Sequence, residues 1–232
     1  MNGIELDDMA GQRSCSGGMA GCGGSETRFS SYINSTPHRS PPISTVSSFG
    51  SGHGLAVFSW GRGEDGQLGL GDTSDQASPM FLDALRGVAV KQLACGSGHT
   101  CVLTQDGEIY TWGRGDDGRL GHGDNGWKYV PRLVNALLGQ VVTHVVCGSY
   151  HTAAVTNNGH LYTWGGGMYG KLGHGNESGC SVPRKVEGLA GVSVKFVACG
   201  SRHTVAVTTA GSLYSWVSLR LYYLSLNDFA AS

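Results

Sequence analysis

Residues 90–113 read VKQLACGSGHTCVLTQDGEIYTWG. Two runs suited to β-strands meet at Asp106-Gly107. Asp-Gly favours a type I′ turn, whose twist matches the strands of a hairpin. The stretch returns at 142–165 as VTHVVCGSYHTAAVTNNGHLYTWG, with Asn158-Gly159 at the turn. A third copy, VKFVACGSRHTVAVTTAGSLYSWV at 194–217, places Ala210-Gly211 there, a weaker turn that keeps its glycine. The local pattern is β in every copy.

Outward from this hairpin a single unit holds its register. Trp60, Trp112, Trp164 and Trp216 are spaced 52 residues apart, and Cys95, Cys147 and Cys199 keep the same step. So do His99, His151 and His203, and Pro79, Pro131 and Pro183. A fixed period of this length marks a stacked repeat. Proline disfavours a central strand, so the segments around Pro79, Pro131 and Pro183 are expected at sheet edges. ALRG, ALLG and GLAG then turn the chain back. Each unit supplies about four short antiparallel strands, the content of one propeller blade. A lone small sheet cannot bury both faces, so the units must stack. The expected fold is all-β: a partial β-propeller of about three four-stranded antiparallel blades plus one extra strand.

Residues 1–49 are rich in Gly and Ser and poor in large apolar side chains. They cannot bury enough surface to offset ordering, and a disordered tail is expected. Ser40-Pro41 is read as part of that solvated tail. The repeats are expected over 50–217, followed by an atypical C-terminal tail at 218–232. With 39 Gly, 6 Pro and 40% hydrophobic residues, the 232-residue chain suits tight turns between short apolar strands. Its net charge is −1, and residues 50–217 carry 12 Lys and Arg against 12 Asp and Glu. No basic stripe of the kind that grips phosphates is visible. Seven cysteines, three of them periodic, predict reduced, small buried residues rather than a disulfide framework. An acidic start, MNGIELDD, with no apolar run behind it predicts no signal peptide, and no stretch is long enough for a membrane span. A cytoplasmic or nuclear location is expected, with no membrane partner.

Several motifs invite a chemical reading. Gly61–Gly66, Gly113–Gly118 and Gly165–Gly170 fit G-x-G-x-x-G, yet no helical period follows to aim amides at a pyrophosphate. They are read as blade loops. The pairs Cys95/His99, Cys147/His151 and Cys199/His203 leave a zinc site two ligands short unless neighbouring blades converge. A packed thiol and an imidazole bonded to backbone are expected instead. His122 and His174 are expected to be exposed. The periodic tryptophans should fill space between blades, with each indole N–H on a carbonyl. Trp127, off the period, is the better surface-contact candidate. No catalytic, cofactor-binding or metal-ligating residue is predicted, and no enzymatic activity.

The units CGSGHT, CGSYHT and CGSRHT, with FSWGRGEDGQLGLGD, YTWGRGDDGRLGHGD and YTWGGGMYGKLGHGN, closely resemble regulator-of-chromosome-condensation repeats. That resemblance implies blades from a family of seven-bladed rings. It runs from Gly50 to Trp216, after which VSLRLYYLSLNDFAAS stands where the next loop should begin. A truncated or alternatively spliced product is expected, with open edges and marginal stability.

The loop GRGEDGQLG is also similar to plant ultraviolet-B photoreceptor members of the family, whose sensing tryptophans sit in GWRHT motifs. The matching positions here are Ser97, Ser149 and Ser201, and Arg202 alone matches the motif's arginine. The resemblance further implies nucleotide exchange on a small GTPase or chromatin binding as possible family activities. Beyond Arg28, His38 and Arg39 there is no basic arm to support the latter. The leading expectation is a non-catalytic protein-interaction module with a protein partner. Its contacts are placed on DTSDQAS (72–78), DNGWKYV (124–130) and NESGCSV (176–182). A guanine-nucleotide exchange factor and an ultraviolet-B response protein without the sensing tryptophans are the alternatives.

Overall fold

The computed structural model describes residues 56–216 and the backbone of 217 and of 220–224. The expected tail at 1–49 and the last residues, 225–232, lie outside the described residues. Strands β1 (Phe58–Gly61) and β2 (Gln76–Phe81) form a two-stranded antiparallel sheet. Three four-stranded antiparallel sheets follow in chain order. Blade I contains β3 (Val90–Cys95), β4 (His99–Thr104), β5 (Ile109–Gly113) and β6 (Lys128–Leu133). Blade II contains β7 (Val142–Cys147), β8 (His151–Thr156), β9 (Leu161–Gly165) and β10 (Cys180–Lys185). Blade III contains β11 (Val194–Cys199), β12 (Thr204–Thr208), β13 (Leu213–Val217) and β14 (Arg220–Leu224). The all-β architecture and its blades are as the period requires, and the additional piece is the β1–β2 pair.

The proline-bearing strands β2, β6 and β10 each lie at the edge of their sheet, where a missing N–H costs no ladder bond. In blade III that edge is taken by β14, which pairs Val217 with Arg220 and Leu213 with Leu224. ALRG, ALLG and GLAG contribute to short 3-10 turns at Asp83–Leu85, Asn135–Leu137 and Glu187–Leu189.

The hairpin turn differs from expectation. Gly107 N–H donates to the Thr104 carbonyl at 3.1 Å, and Thr104 N–H donates to Glu108 at 2.9 Å, closing a three-residue loop. Gly107 takes φ +86°, while Asp106 is not left-handed, so the turn is not type I′. Gly159 and Gly211 repeat the geometry at φ +72° and +82°. Only the glycine needs the left-handed region, which is why Ala210 is tolerated where Asp106 and Asn158 stand.

Stacking buries the apolar positions of one blade against the next. Cys101, Leu103 and Ile109 of blade I pack with Val145, Ala154 and Trp164 of blade II. One period later Ala153, Val155 and Leu161 pack with Val197, Ala206 and Trp216. The central strands show the consequence. Every residue of β4 and β8 is buried, because each has a sheet on both faces. In β12 buried and half-buried residues alternate, because among the described residues only one face is covered.

The tryptophans follow the same logic: Trp112, Trp164 and Trp216 are at most 2% exposed, and Trp60 is 55% exposed. Cys95 departs from the expected burial and is exposed, while Cys147 and Cys199 are half-buried. Cys147 and Cys199 pack against the inner strands of the preceding blade, and among the described residues no inner strand precedes Cys95.

Candidate functional site

Antiparallel connection puts the β3–β4 turn and the Gly-rich β5–β6 loop at the same end of a blade, and blade II repeats this arrangement. Arg114 N–H donates to the Gly98 carbonyl at 2.8 Å, and Gly166 N–H to the Tyr150 carbonyl at 2.8 Å, joining turn to loop. The G-x-G-x-x-G segments lie here, and none opens an α-helix. In a dinucleotide site the middle glycine lets backbone approach a pyrophosphate. Here the loop's own return fills that space. A Cβ on Gly63, Gly115 or Gly167 would collide with the carbonyl of Ser74, Gly126 or Ser178.

The same loops lock one blade to the next. The Gln67 carbonyl accepts from Thr100 Oγ1 at 2.9 Å and Trp112 Nε1 at 2.8 Å. The Lys171 carbonyl accepts from Thr204 Oγ1 at 2.7 Å and Trp216 Nε1 at 2.8 Å. Arg119 offers its carbonyl to Thr152 Oγ1 at 2.8 Å, while the Trp164 indole N–H is buried without a partner.

The imidazoles do not pair with backbone as expected. His99 Nε2 meets Thr152 Oγ1 at 3.0 Å and His151 Nε2 meets Thr204 Oγ1 at 2.9 Å, both across a blade joint. Nor are His122 and His174 exposed. They are half-buried and reach Thr111 and Thr163 at 2.9 and 3.1 Å. Burial lowers the pKa of both.

The outer surface of this end carries the candidate site. Arg119 and Lys171 are 2% and 3% exposed, and Tyr150 lies over both, with cation-to-ring distances of 5.1 and 5.9 Å. Arg119 is held by the Asp116 and Ser149 carbonyls and by Asp117 Oδ2 at 3.0 Å. Burial pulls the Lys171 pKa below the usual lysine value. Beside them Arg202 stacks on Tyr169 at 5.0 Å. Tyr150, Lys171, Tyr169 and Arg202 line a cleft of about 360 Å³ with Asp117 and Glu177.

Two non-glycine residues on this face adopt left-handed backbone: Asp117 at φ 61° and Tyr169 at φ 65°. Asp tolerates that region and a bulky aromatic does not, so Tyr169 is the strained one. The segments 72–78, 124–130 and 176–182 are largely exposed, and Glu177 and Gly179 reach the cleft. Trp127 is held by its own loop, donating to Asp116 Oδ1 at 2.9 Å beside Arg114. The Trp127 indole and the Arg114 guanidinium hold the Asp116 carboxyl below the usual range.

Sequence reading missed Tyr150, Tyr169 and the two buried cations. The signal was present in the differences between units: Gly98, Tyr150 and Arg202 share one unit position, and Asp65, Asp117 and Tyr169 another.

The blades, loops and joints are those of a known family, and the model for the RCC1-like domain matches residues 56–222. The chain belongs to the RCC1-like domain family. Among RCC1-like relatives, the ultraviolet-B receptor UVR8 of Arabidopsis thaliana is 43% identical over 190 residues, covering 79% of this chain and 43% of that protein. Human E3 ubiquitin-protein ligase HERC2 is 43% identical over 162 residues, 69% of this chain and 3% of HERC2. The crystal structure of Saccharomyces cerevisiae Prp20p, studied with its binding to Gsp1p and histones, matches at TM-score 0.60 and 27% identity. That match covers 75% of this chain and 41% of Prp20p, so the chain spans less than half of each of these RCC1-like proteins. Among the described residues no helix is long and apolar enough to cross a membrane.

Proposed function

We propose that this RCC1-like domain is a non-catalytic protein-interaction module whose partner docks on the loop end of blades II and III. One observation carries the reading: Tyr169, a residue 37% exposed, is held at φ 65° with its ring stacked on Arg202. Strain of order 1–3 kcal/mol persists where the surroundings impose it, and such positions cluster at functional sites. Tyr and Arg are also the residues over-represented among interface anchors. Met168 and Tyr150, both more than 40% exposed, extend the apolar part of the face.

Proximity labelling with the wild-type chain should recover a reproducible partner set, and Tyr169→Gly with Arg202→Ala should lose it. Tyr169→Gly relieves the backbone strain, so its thermal midpoint should hold or rise while capture falls. Recovery of chaperones alone, or of the same partners with the variant, would reject the proposal.

The likeness to Prp20p, which was studied for binding Gsp1p, supports guanine-nucleotide exchange on a small GTPase as a second reading. Release of a fluorescent nucleotide from a panel of small GTPases tests it, and no acceleration removes it. The similarity to UVR8 supports a role in the ultraviolet-B response. Ser149 and Ser201 stand at two of the GWRHT tryptophan positions and bond each other at 2.8 Å. An oligomeric state unchanged by ultraviolet-B would remove light sensing from this reading.

A further inference from the structure

The joint between blades I and II gathers three soft or borderline donors that the interaction face does not use. The ligand atoms of His99, Cys101 and Cys147 all lie within 4.8 Å of one another. Cys147 Sγ is 3.1 Å from Cys101 Sγ. The C-x3-H pairs therefore do not act within a blade, because His99 meets the thiol of the next blade.

The hydrogen bonds fix the histidine's tautomer. The Thr152 hydroxyl donates its proton to the Arg119 carbonyl at 2.8 Å, so His99 Nε2 must be the N–H that donates to Thr152. Nδ1 is left as a lone pair, buried and with no donor in good hydrogen-bond geometry, on a residue 1% exposed whose imidazole interacts with the Cys147 thiol. One ring nitrogen fixed by a hydrogen bond, with the other's lone pair available, is the arrangement of a metal-ligating histidine.

We propose that a ring nitrogen of His99 joins Cys101 Sγ and Cys147 Sγ in a three-coordinate site for one Cu(I) ion across this joint. Two thiolates and an imidazole are a soft donor set, which selects Cu(I) or zinc. Zinc in a closed site takes four ligands, and the cluster supplies three, with Cys101 fully buried. On entry of the ion the two thiols ionise and release two protons, so affinity rises with pH.

The next joint is a built-in control. His151 Nδ1 is likewise buried with no donor in good geometry, but Ala153 stands where Cys101 does, leaving Cys199 as the lone thiol of the corresponding set.

The test is an anaerobic titration of the reduced full chain with Cu(I), using bicinchoninate as the chromogenic competitor. Wild type should bind one equivalent that Cys101→Ala loses and Cys199→Ala keeps. Cys101→Ala installs the side chain that blade II carries at Ala153, and circular dichroism confirms its fold. His99→Gln is the second variant and should weaken binding by at least about tenfold. X-ray absorption should show two sulfur donors and one nitrogen donor. Copper bound equally by Cys101→Ala would overturn the site. So would tighter binding of Zn(II) by these three residues, or a Cys101–Cys147 disulfide in protein that takes up no Cu(I) once reduced.

Discussion

The two internal joints, blade I on II and blade II on III, use the same positions for different local chemistry. In both, an apolar layer with one tryptophan is sealed by a relay from histidine through threonine to a loop carbonyl. What varies is how the remaining polar groups are satisfied. At the first joint Gln92 clamps both main-chain groups of Val145, at 2.7 and 3.3 Å. At the second, His144 sits in that position, meets the Val197 carbonyl at 3.3 Å and lies edge-on to Phe196. The first joint has a second thiol and an unpaired indole, and the second has a paired indole and no second thiol. The period thus fixes the features that every joint needs, and specialisation enters at single positions.

The largest expected effect separates a covered tryptophan from an uncovered one. Trp164→Ala should cost about 3–5 kcal/mol, as large buried aromatics do. Trp60→Ala should stay within about 0.5 kcal/mol, because that side chain is 55% exposed. Urea unfolding midpoints decide this, and equal losses would mean that Trp60 is covered in solution.

Acid should strain the second joint next. Burial, Lys171 and His203 push the His151 pKa down to about 3. A depressed histidine binds fewer protons folded than unfolded, so its contribution to stability is intact above about pH 6.5. As pH falls from there towards 3 the loss is about 1.4 kcal/mol per unit. His144, also lowered by burial, adds in the same direction. His151→Gln should flatten the slope of unfolding free energy between pH 6 and 4, and an unchanged slope would place the acid sensitivity elsewhere.

Much of this was legible in the sequence because period and turn chemistry are local signals. The sheets and the edge strands at Pro79, Pro131 and Pro183 follow from spacing and from proline's missing donor. The reading of Asp106-Gly107 as type I′ failed because a dipeptide does not reveal loop length, and one further residue leaves the left-handed region to the glycine alone. Cys95 was misjudged because burial in a stack depends on the neighbouring unit, not on the residue. The site around Tyr150, Tyr169 and Arg202 was not legible for a related reason. Its residues come from separate loops of two blades, and each reads alone as an ordinary variation on glycine or aspartate.

The finest test of the comparison lies in the relay. Valine matches threonine in shape and removes only the hydroxyl. Thr204→Val leaves His151 Nε2–H without its acceptor, but the Lys171 carbonyl keeps the Trp216 indole. Thr152→Val leaves His99 Nε2–H and the Arg119 carbonyl both unserved, because the Trp164 indole does not bond that carbonyl. A buried group left unpaired costs about 1–3 kcal/mol. Thr152→Val should therefore lose about 1 kcal/mol more than Thr204→Val in urea unfolding. Equal losses would show that the Trp164 indole reaches the Arg119 carbonyl once the hydroxyl is gone. The two joints would then differ in their thiols but not in the relay.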